Sequence, residues 1–426
     1  MRILAINPWI YDFAAYDFWL KPYGFLSILS YLKTKQNRID FIDCLDKKIS
    51  KDPFGRGKYY SERIAKPKLL ESVPRYFKRY GKTIAEVESE IKKTKPDFIL
   101  ITSSMTYWYP AISEVIKILK THHPGTPIIL GGTYATLCHS HAESIIGCDY
   151  LFENRKLNGF FELFNIGYEP KELFSTLPRY EDFYHKLDYV VLRTSWGCPF
   201  SCSYCAINEL SDGFFRISQE KVIKFILKYC RKGIGDFVFY DDALLYENKY
   251  IKSLLRKILE AKINVRFHTP NALHLRFLDE ETASLLKRTG FTNPHFGLET
   301  LNPSLQKKWG DKVNLSEVEK GVKTLKKAGF KNGEFSLYLL LGYPDQDLEE
   351  LKKEIDFLNS QGARVSLAEF AITPKTKIFK DYENMFADPL LHNNSIFFSS
   401  RPQALKEFYW IKDYTRQLNK KLSAGQ

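Results

Sequence analysis

Four short apolar runs punctuate the first 150 residues: RILAIN (2–7), IDFID (39–43), DFILITS (97–103) and PIILGG (127–132). Continuous apolar runs of this length read as parallel strands buried on both faces. Between them apolar positions recur every three or four residues, clearest in AISEVIKILKTH (111–122), where Ile112, Val115, Ile116 and Leu119 line one helical face. Strand–helix alternation predicts a doubly wound, Rossmann-like α/β domain over residues 1–150. From 151 to 187 the pattern breaks into aromatic, charged and proline-bearing sequence, expected to be a linker packed against both neighbours. A second rhythm follows, with strands expected in YVVLRTS (189–195), DFVFYDD (236–242), INVRFHT (263–269), PHFGLE (294–299), EFSLYLLLG (334–342) and RVSLAEFAI (364–372). Helices fit between them at 218–231, 247–261, 279–289, 315–328 and 347–361. Six such units predict a partial (β/α)6 TIM-type barrel over 188–385, short of the eight that close one. A small helical tail, 386–426, carries one amphipathic helix near 402–421.

A chain of 426 residues with 44% hydrophobic content can build two or three such cores. The N-terminal stretch is apolar but interrupted by Asn7, Asp12 and Asp17 and lacks a signal peptide's basic start and cleavage site, and no run is long enough to span a bilayer. Seven cysteines, four of them (Cys44, Cys138, Cys148, Cys230) single among apolar residues, fit free thiols in a reducing cytoplasm better than a disulfide framework. The formal charge of +13 is regional: residues 47–95 hold 15 Lys/Arg against 6 Asp/Glu. Aromatics interleave this insertion, as in YYSER and RYFKRY, which suits phosphate contact with base stacking. The same composition fits a solvated helical insertion in the crossover after the second strand.

The stretch TSWGCPFSCSYCAIN (194–208) places Cys198, Cys202 and Cys205 on the loop after the first barrel strand, the end that carries chemistry in parallel barrels. Structural zinc wants a fourth Cys or His nearby, and none lies within 186–229. A disulfide would leave one thiol over. Three thiolates suit a 4Fe–4S cubane that keeps one iron open for a small molecule.

At these residues the sequence resembles the radical S-adenosylmethionine (SAM) superfamily, whose signature C-x3-C-x-aromatic-C is matched with Tyr204 as the aromatic. The resemblance implies that Cys198, Cys202 and Cys205 ligate a 4Fe–4S cluster and that SAM binds the open iron. Reductive cleavage of SAM would then yield methionine and a 5′-deoxyadenosyl radical, with the electron drawn from a low-potential donor such as a flavodoxin or ferredoxin. It also implies SAM contacts at other strand ends. YDDAL (240–244) stands where the family receives the SAM amino group, so Asp241 and Asp242 could serve, although the family's glycines are absent and the pair also fits a helix N-cap. Glu299 in FGLET (296–300) matches the ribose position, and Gly342 and Pro344 in LLGYPDQ (340–346) match the turn that passes the adenine. FAITPKTKIF (370–379) is similar to the last-strand segment, more weakly. Lys312 in WGDKVN is the candidate partner of the SAM carboxylate, or an exposed lysine. His268, Asn271 and His274 in HTPNALHLR (268–276) are aimed at the same mouth, to touch substrate (with His268 and His274 as the catalytic candidates) or to hold the loop.

A doubly wound domain before such a barrel resembles the class with an N-terminal cobalamin (B12)-binding domain. Gly131, Gly132 and Thr133 in GGTYAT (131–136) fit its glycine pair, and TSSMTYWYP (102–110) its third-strand loop. That class usually carries Asp-x-His-x-x-Gly as the lower-ligand motif, and the corresponding stretch here, DCLDKKIS (43–50), has no histidine. Two readings follow: cobalamin bound with its lower face unligated, as in a radical SAM methyltransferase, or a domain that keeps the fold and has lost or exchanged its ligand, serving a cobalamin-independent rearrangement or coupling. A third, from another class, is an RNA-binding protein whose cluster is structural. Members of the superfamily act on small molecules, peptides, lipids and nucleic acids, so the resemblance leaves the substrate open.

Overall fold

A computed structural model describes residues 1–344, 346–399 and 402–424. The chain forms two compact units: Met1–Asp188 with Asn208–Asp212 and Phe379–Asn393, and Tyr189–Ile207 with Gly213–Ile378 and Asn394–Gln426.

The first unit is built on a five-stranded parallel sheet of β1 (Arg2–Asn7), β2 (Arg38–Asp43), β3 (Phe98–Ile101), β4 (Ile128–Leu130) and β5 (Tyr150–Leu151), in the order β5-β4-β3-β1-β2. Ile3 to Ile6, Ile99 to Ile101 and Ile128 to Leu130 are buried, which is why these strands read as unbroken apolar runs. Helices α1 (Tyr23–Thr34), α2 (Ile84–Ile91) and α3 (Tyr109–His122) connect them. The chain reverses direction across the sheet between β1 and β3, and ligands of doubly wound folds bind beyond the carboxyl ends at such a point.

The basic insertion is not the helical segment that its composition fits. Lys48–Lys51 pairs with Gly57–Tyr59, and Ile10–Asp12, Lys78–Tyr80 and Ser61–Arg63 form an antiparallel ribbon. Pro53, Pro67 and Pro74 exclude a continuous helix, and Ile10, Leu45, Tyr59 and Tyr80 close a small core. Besides one 3-10 turn at Lys68–Leu70, only α2 is helical among the described residues of the insertion, capped by a reciprocal Thr83–Glu86 box. Much of the positive charge is spent locally: Lys47, Lys48, Lys51, Arg56, Arg79, Lys82 and Lys92 pair with Glu86, Asp17, Asp188, Asp52, Glu62, Glu90 and Glu88.

Residues 151–187, expected as a linker, belong to the first unit's body. Phe161 packs edge-on against Tyr31 at 5.3 Å, Phe164 against Phe98 at 5.2 Å, and the Tyr184 hydroxyl donates to Asp43 at 2.6 Å. The stretch is too aromatic to stay in solvent, and it covers one side of the sheet. Phe379–Asn393 likewise joins this unit instead of opening the helical tail. Asn393 donates to Asp12 at 2.9 Å, while His392 accepts at Nδ1 from Thr106 at 3.0 Å and donates from Nε2 to the Phe386 carbonyl at 2.9 Å. Burial pushes the His392 imidazole down to about 4, against smaller effects of the Phe386 carbonyl and Asp388 in the other direction. An unfolded chain protonates this histidine near its ordinary 6.5, so stability falls as pH drops from about 6.5 to about 4, by up to about 1.4 kcal/mol per unit, and this contribution is flat above that window. Denaturant midpoints measured across pH 4–8 are expected to show this slope in the native chain and a shallower one in His392→Gln.

The second unit carries β6 (Val190–Leu192), β7 (Asp236–Phe239), β8 (Arg266–His268), β9 (His295–Glu299), β10 (Ser336–Leu341) and β11 (Arg364–Glu369) as two parallel three-stranded sheets, β6-β7-β8 and β9-β10-β11. Bridges Phe267–Phe291 and Leu273–Phe296 link them. Helices α4 (Gln219–Cys230), α5 (Asn248–Glu260), α6 (Glu280–Thr289), α7 (Pro303–Trp309), α8 (Leu315–Lys327) and α9 (Leu348–Ser360) alternate with the strands. The last strand is an open edge, and α10 (Pro402–Ala424) covers it: the Asn419 side chain accepts from the Val365 N–H at 3.0 Å and donates to its carbonyl at 2.8 Å, standing in for a neighbouring strand. Among the described residues no helix is long and apolar enough to cross a membrane.

Candidate active site

The cysteine loop grows from the end of β6 and is fixed at its root by the second strand. Asp241, 3% exposed, accepts from the Thr194 N–H at 3.0 Å and from the Thr194 and Ser195 hydroxyls at 2.6 Å each. Asp242 pairs with Arg193 at 2.6 Å. Burial raises the Asp242 carboxyl and the Arg193 guanidinium opposes this. Both acids therefore anchor the cysteine loop; neither caps a helix. Ser195–Trp196 pairs with Phe215–Arg216, bracketing the loop.

Inside the loop the Cys205 N–H donates to the Cys202 carbonyl at 3.1 Å, making a tight turn. Short helix α7, which the sequence reading passed over, clamps this turn from outside. The Trp309 carbonyl accepts from the Ser203 N–H at 3.1 Å, and the Trp309 ring packs edge-on against Tyr204 at 5.9 Å and Tyr343 at 4.8 Å. Gly310 has φ of 119°, and a Cβ there would lie 3.2 Å from Cys202 Cα and 3.6 Å from its Sγ, so a side chain would crowd the ligand. The signals for α7 were available in Asn302 as N-cap, Pro303 in the first turn and Gly310 after the end.

Burial pushes the Cys198 thiol up to about 12, with the Cys205 and Cys202 thiols adding to the rise, and burial likewise raises Cys205. The three sulfurs are thus near enough to influence one another's ionisation. Yet no three His, Cys, Asp or Glu side chains among the described residues converge as a single ion requires. Three thiols on one loop, with no fourth Cys or His within 186–229, fit an iron–sulfur cluster that keeps one iron open and leave tetrahedral zinc a ligand short.

Beside the thiols lies an ion pair. Lys312 Nζ is 2.7 Å from Glu299 Oε1, with side chains 12% and 11% exposed, so Lys312 is a buried residue and not the exposed lysine of the alternative expectation. Burial works against the ammonium, but Glu299 and the Cys202 and Cys205 thiols outweigh it and hold Lys312 above its usual range. Glu299 ends β9 with φ of 70°, a conformation costing a non-glycine residue about 1–3 kcal/mol. It is imposed from both sides: Gln306 donates to the Leu298 and Thr300 carbonyls at 2.6 and 2.5 Å, and buried Glu354 accepts from the Thr300 hydroxyl at 2.8 Å and the Leu301 N–H at 2.7 Å. Gly297 makes room, since a Cβ there would sit 2.4 Å from Lys312 Nζ. Neither Gln306 nor Glu354 carries a sequence signal, because Gln306 acts through backbone carbonyls and Glu354 through one N–H and one hydroxyl, more than fifty residues away in the chain.

The fifth-strand turn adjoins the same cluster. Gly342 has φ of 90°, its N–H donates to Gln346 at 2.6 Å, and Tyr343 meets Trp309; Pro344 follows, and Asp345 lies outside the described residues. His274 is buried, stacked on Phe200 of the cysteine loop at 4.8 Å, and pushed down to about 3 by burial, Lys312 and Arg276, so it is a neutral imidazole. His268 is placed elsewhere: it is 2% exposed and its Nε2 meets Asp236, the first residue of β7, at 2.8 Å. Asn271 donates to the Tyr240 carbonyl at 3.0 Å.

In the first unit, Gly131, Gly132 and Thr133 follow β4 at the sheet's carboxyl edge. Gly132 has φ of 98°, and a Cβ there would lie 2.3 Å from the Ser103 carbonyl oxygen. The Thr133 N–H donates to that oxygen at 2.8 Å, and the Ser103 hydroxyl donates to Gly131 at 2.7 Å. Small residues thus bring the loops after β3 and β4 into backbone contact at the carboxyl edge of the sheet. Gly132→Ala is expected to destabilise the chain by on the order of 3 kcal/mol, from the left-handed backbone and the backbone clash, seen as a lower denaturant midpoint. The turn after β2 holds no histidine. There Asp43 accepts from Asn7 at 2.8 Å, Cys44 is fully buried, and a Cβ on Gly81 would lie 2.0 Å from the Cys44 carbonyl oxygen, so the chain itself fills the turn.

Residues 193–358 match the model of the Radical SAM superfamily, and residues 77–156 match that of the B12 binding domain. An uncharacterized methyltransferase of Pyrococcus horikoshii is 24% identical over 339 residues, 70% of this chain and 72% of that protein. Among solved structures, the radical S-adenosylmethionine methyltransferase TsrM from Kitasatospora setae, with cobalamin and a 4Fe–4S cluster bound, superposes with a TM-score of 0.66 at 15% identity, covering 90% of this chain and 78% of that one. The cobalamin-dependent S-adenosylmethionine radical enzyme OxsB, with aqua-cobalamin and S-adenosylmethionine bound, gives 0.58 at 13% identity, covering 93% of this chain and 56% of that one. With the cysteine loop at the head of one α/β unit and a doubly wound sheet in the other, the chain carries a region that matches the Radical SAM superfamily, following one that matches the B12 binding domain.

Proposed function

We propose that the chain is a cobalamin-dependent radical SAM methyltransferase whose cobalt takes no histidine ligand from the protein. The observation that carries this reading is the loop of Cys198, Cys202 and Cys205 beside the buried Glu299–Lys312 pair, in a chain that also has a B12-binding domain. The three cysteines would hold the 4Fe–4S cluster, which when bound supplies the electron that splits the SAM sulfonium. Asp241 and Asp242 keep the loop in place through Thr194, Ser195 and Arg193. Lys312 offers a cation to the SAM carboxylate and Glu299 an acceptor to the ribose hydroxyls, both drawn from water before SAM arrives. Gly342 and Pro344 let the fifth-strand turn run close to the adenine. Neutral His274 can move a proton only if the bound substrate restores its basicity, so its role is to wall the loop with Phe200. Gly131, Gly132 and Thr133 would border cobalamin, and methyl transfer agrees with the names of the methyltransferases that the chain resembles.

The turn at Asp43 to Leu45, filled by Asn7 and Gly81, favours one alternative, a degenerate B12 domain serving a radical reaction without cobalamin. Protein produced with a cobalt supply, reconstituted anaerobically with iron and sulfide, reduced with SAM and analysed for 5′-deoxyadenosine, methylated product and bound corrin separates the two. Corrin bound at about one per chain with SAM cleavage supports the proposal; cleavage without corrin selects the alternative; no cleavage despite about four irons per chain defeats both.

A further inference from the structure

The peptide of Ser203, between two of the cysteines, is held on both sides by segments that carry exposed lysines. Its N–H donates to the Trp309 carbonyl and its carbonyl accepts from the Ile378 N–H, each at 3.1 Å. Lys307 and Lys308 immediately precede Trp309, and Lys377 precedes Ile378; all three are exposed. None of the three has an ion-pair partner among the described residues. Gly310, also exposed, presses against Cys202, where a Cβ would lie 3.2 Å from Cys202 Cα. One ligand's main chain therefore lies a single residue beneath a surface bordered by free ammonium groups. Of the acids nearest Gly310, Asp311 faces Arg276 at 3.8 Å and Glu317 is taken by Arg276 at 3.0 Å.

We propose that Lys307, Lys308 and Lys377 form the docking surface for an acidic one-electron carrier protein, which delivers its electron through the Gly310–Cys202 contact. This rests on the function proposed above. One electron leaves the carrier, oxidising it by one, and enters the iron–sulfur centre, reducing it by one; no bond or proton is exchanged at the contact. A surface bordered by lysines suits a transient redox encounter, in which complementary charge raises the association rate more than the affinity.

The test uses the full chain and photoreduced flavodoxin as the acidic probe. In stopped flow at about 50 mM salt, the triple variant Lys307→Glu, Lys308→Glu, Lys377→Glu is expected to be reduced by flavodoxin at least about ten-fold more slowly than the native chain, whose own rate falls as salt is raised to about 300 mM. Reduction by methyl viologen, a small cation that needs no docking, should stay within about two-fold, with unchanged iron content. A milder Lys→Gln triple, checked by circular dichroism, guards against misfolding of the charge reversal and should lie in between. Equal flavodoxin rates in all three proteins overturn the docking surface. Failure of the native chain to assemble about four irons overturns instead the function on which it rests; flavodoxin binding to the cluster-free chain by calorimetry then still decides the surface, which fails if the triple variant binds equally well.

Discussion

Replacing Cys198, Cys202 and Cys205 together by alanine is expected to take the iron content of reconstituted protein from about four per chain to none and 5′-deoxyadenosine formation down by at least about a thousand-fold. The effect should be this large because no other thiol or imidazole offers itself: within 186–229 these are the only cysteines, and there is no histidine. His274 faces the loop through the Phe200 ring. Folding should survive, because the loop is tied down by groups other than its sulfurs. Asp241 holds Thr194 and Ser195, and the Ser203 peptide is fastened to Trp309 and Ile378. The triple variant is therefore expected to keep its denaturant midpoint within about 1 kcal/mol of the cluster-free native chain while losing all visible absorption from iron and sulfide. A variant that still binds four irons would show that the ligands lie elsewhere.

Nearly every parallel strand of both units was legible, and none of the antiparallel ones, because parallel strands buried on two faces leave continuous apolar runs: RILAIN, DFILITS and EFSLYLLLG contain β1, β3 and β10. The two-residue β5 left no such run. The insertion was misread because a charge run does not report period, and its prolines should have outweighed its lysines. The linker and the segment 379–393 escaped because membership of a compact unit is decided by distant partners such as Asp43 for Tyr184 and Asp12 for Asn393. The cysteines were visible because their chemistry is carried by residue type and spacing. Asp241 and Asp242 were visible as acids, but the sequence did not show that both are occupied by the neighbouring strand. Lys312 stood out in the sequence only as a candidate cation; its burial was not legible, since a lysine buries only beside a carboxylate that the sequence sets 13 residues away.

That pair is the place where stability and ligand binding can be separated. Glu299→Gln strands a buried ammonium and Lys312→Met strands a buried carboxylate, and breaking a buried pair on one side costs about 3–5 kcal/mol. Both single variants are expected to lose stability on that scale in denaturant titrations. The double variant removes both charges and should recover much of the loss, giving a coupling energy above about 1 kcal/mol between positions in direct contact. SAM binding, measured by calorimetry on reconstituted protein, should behave differently. If Lys312 meets the carboxylate and Glu299 the ribose, each variant weakens SAM at least about ten-fold and the double variant weakens it further, because restored packing does not restore either contact. A double variant that regains both stability and SAM affinity would make the pair a strut of the end of β9 and nothing more. Loss of affinity with recovered stability is the outcome expected of a pair that holds Glu299 in its left-handed conformation until SAM takes both charges over.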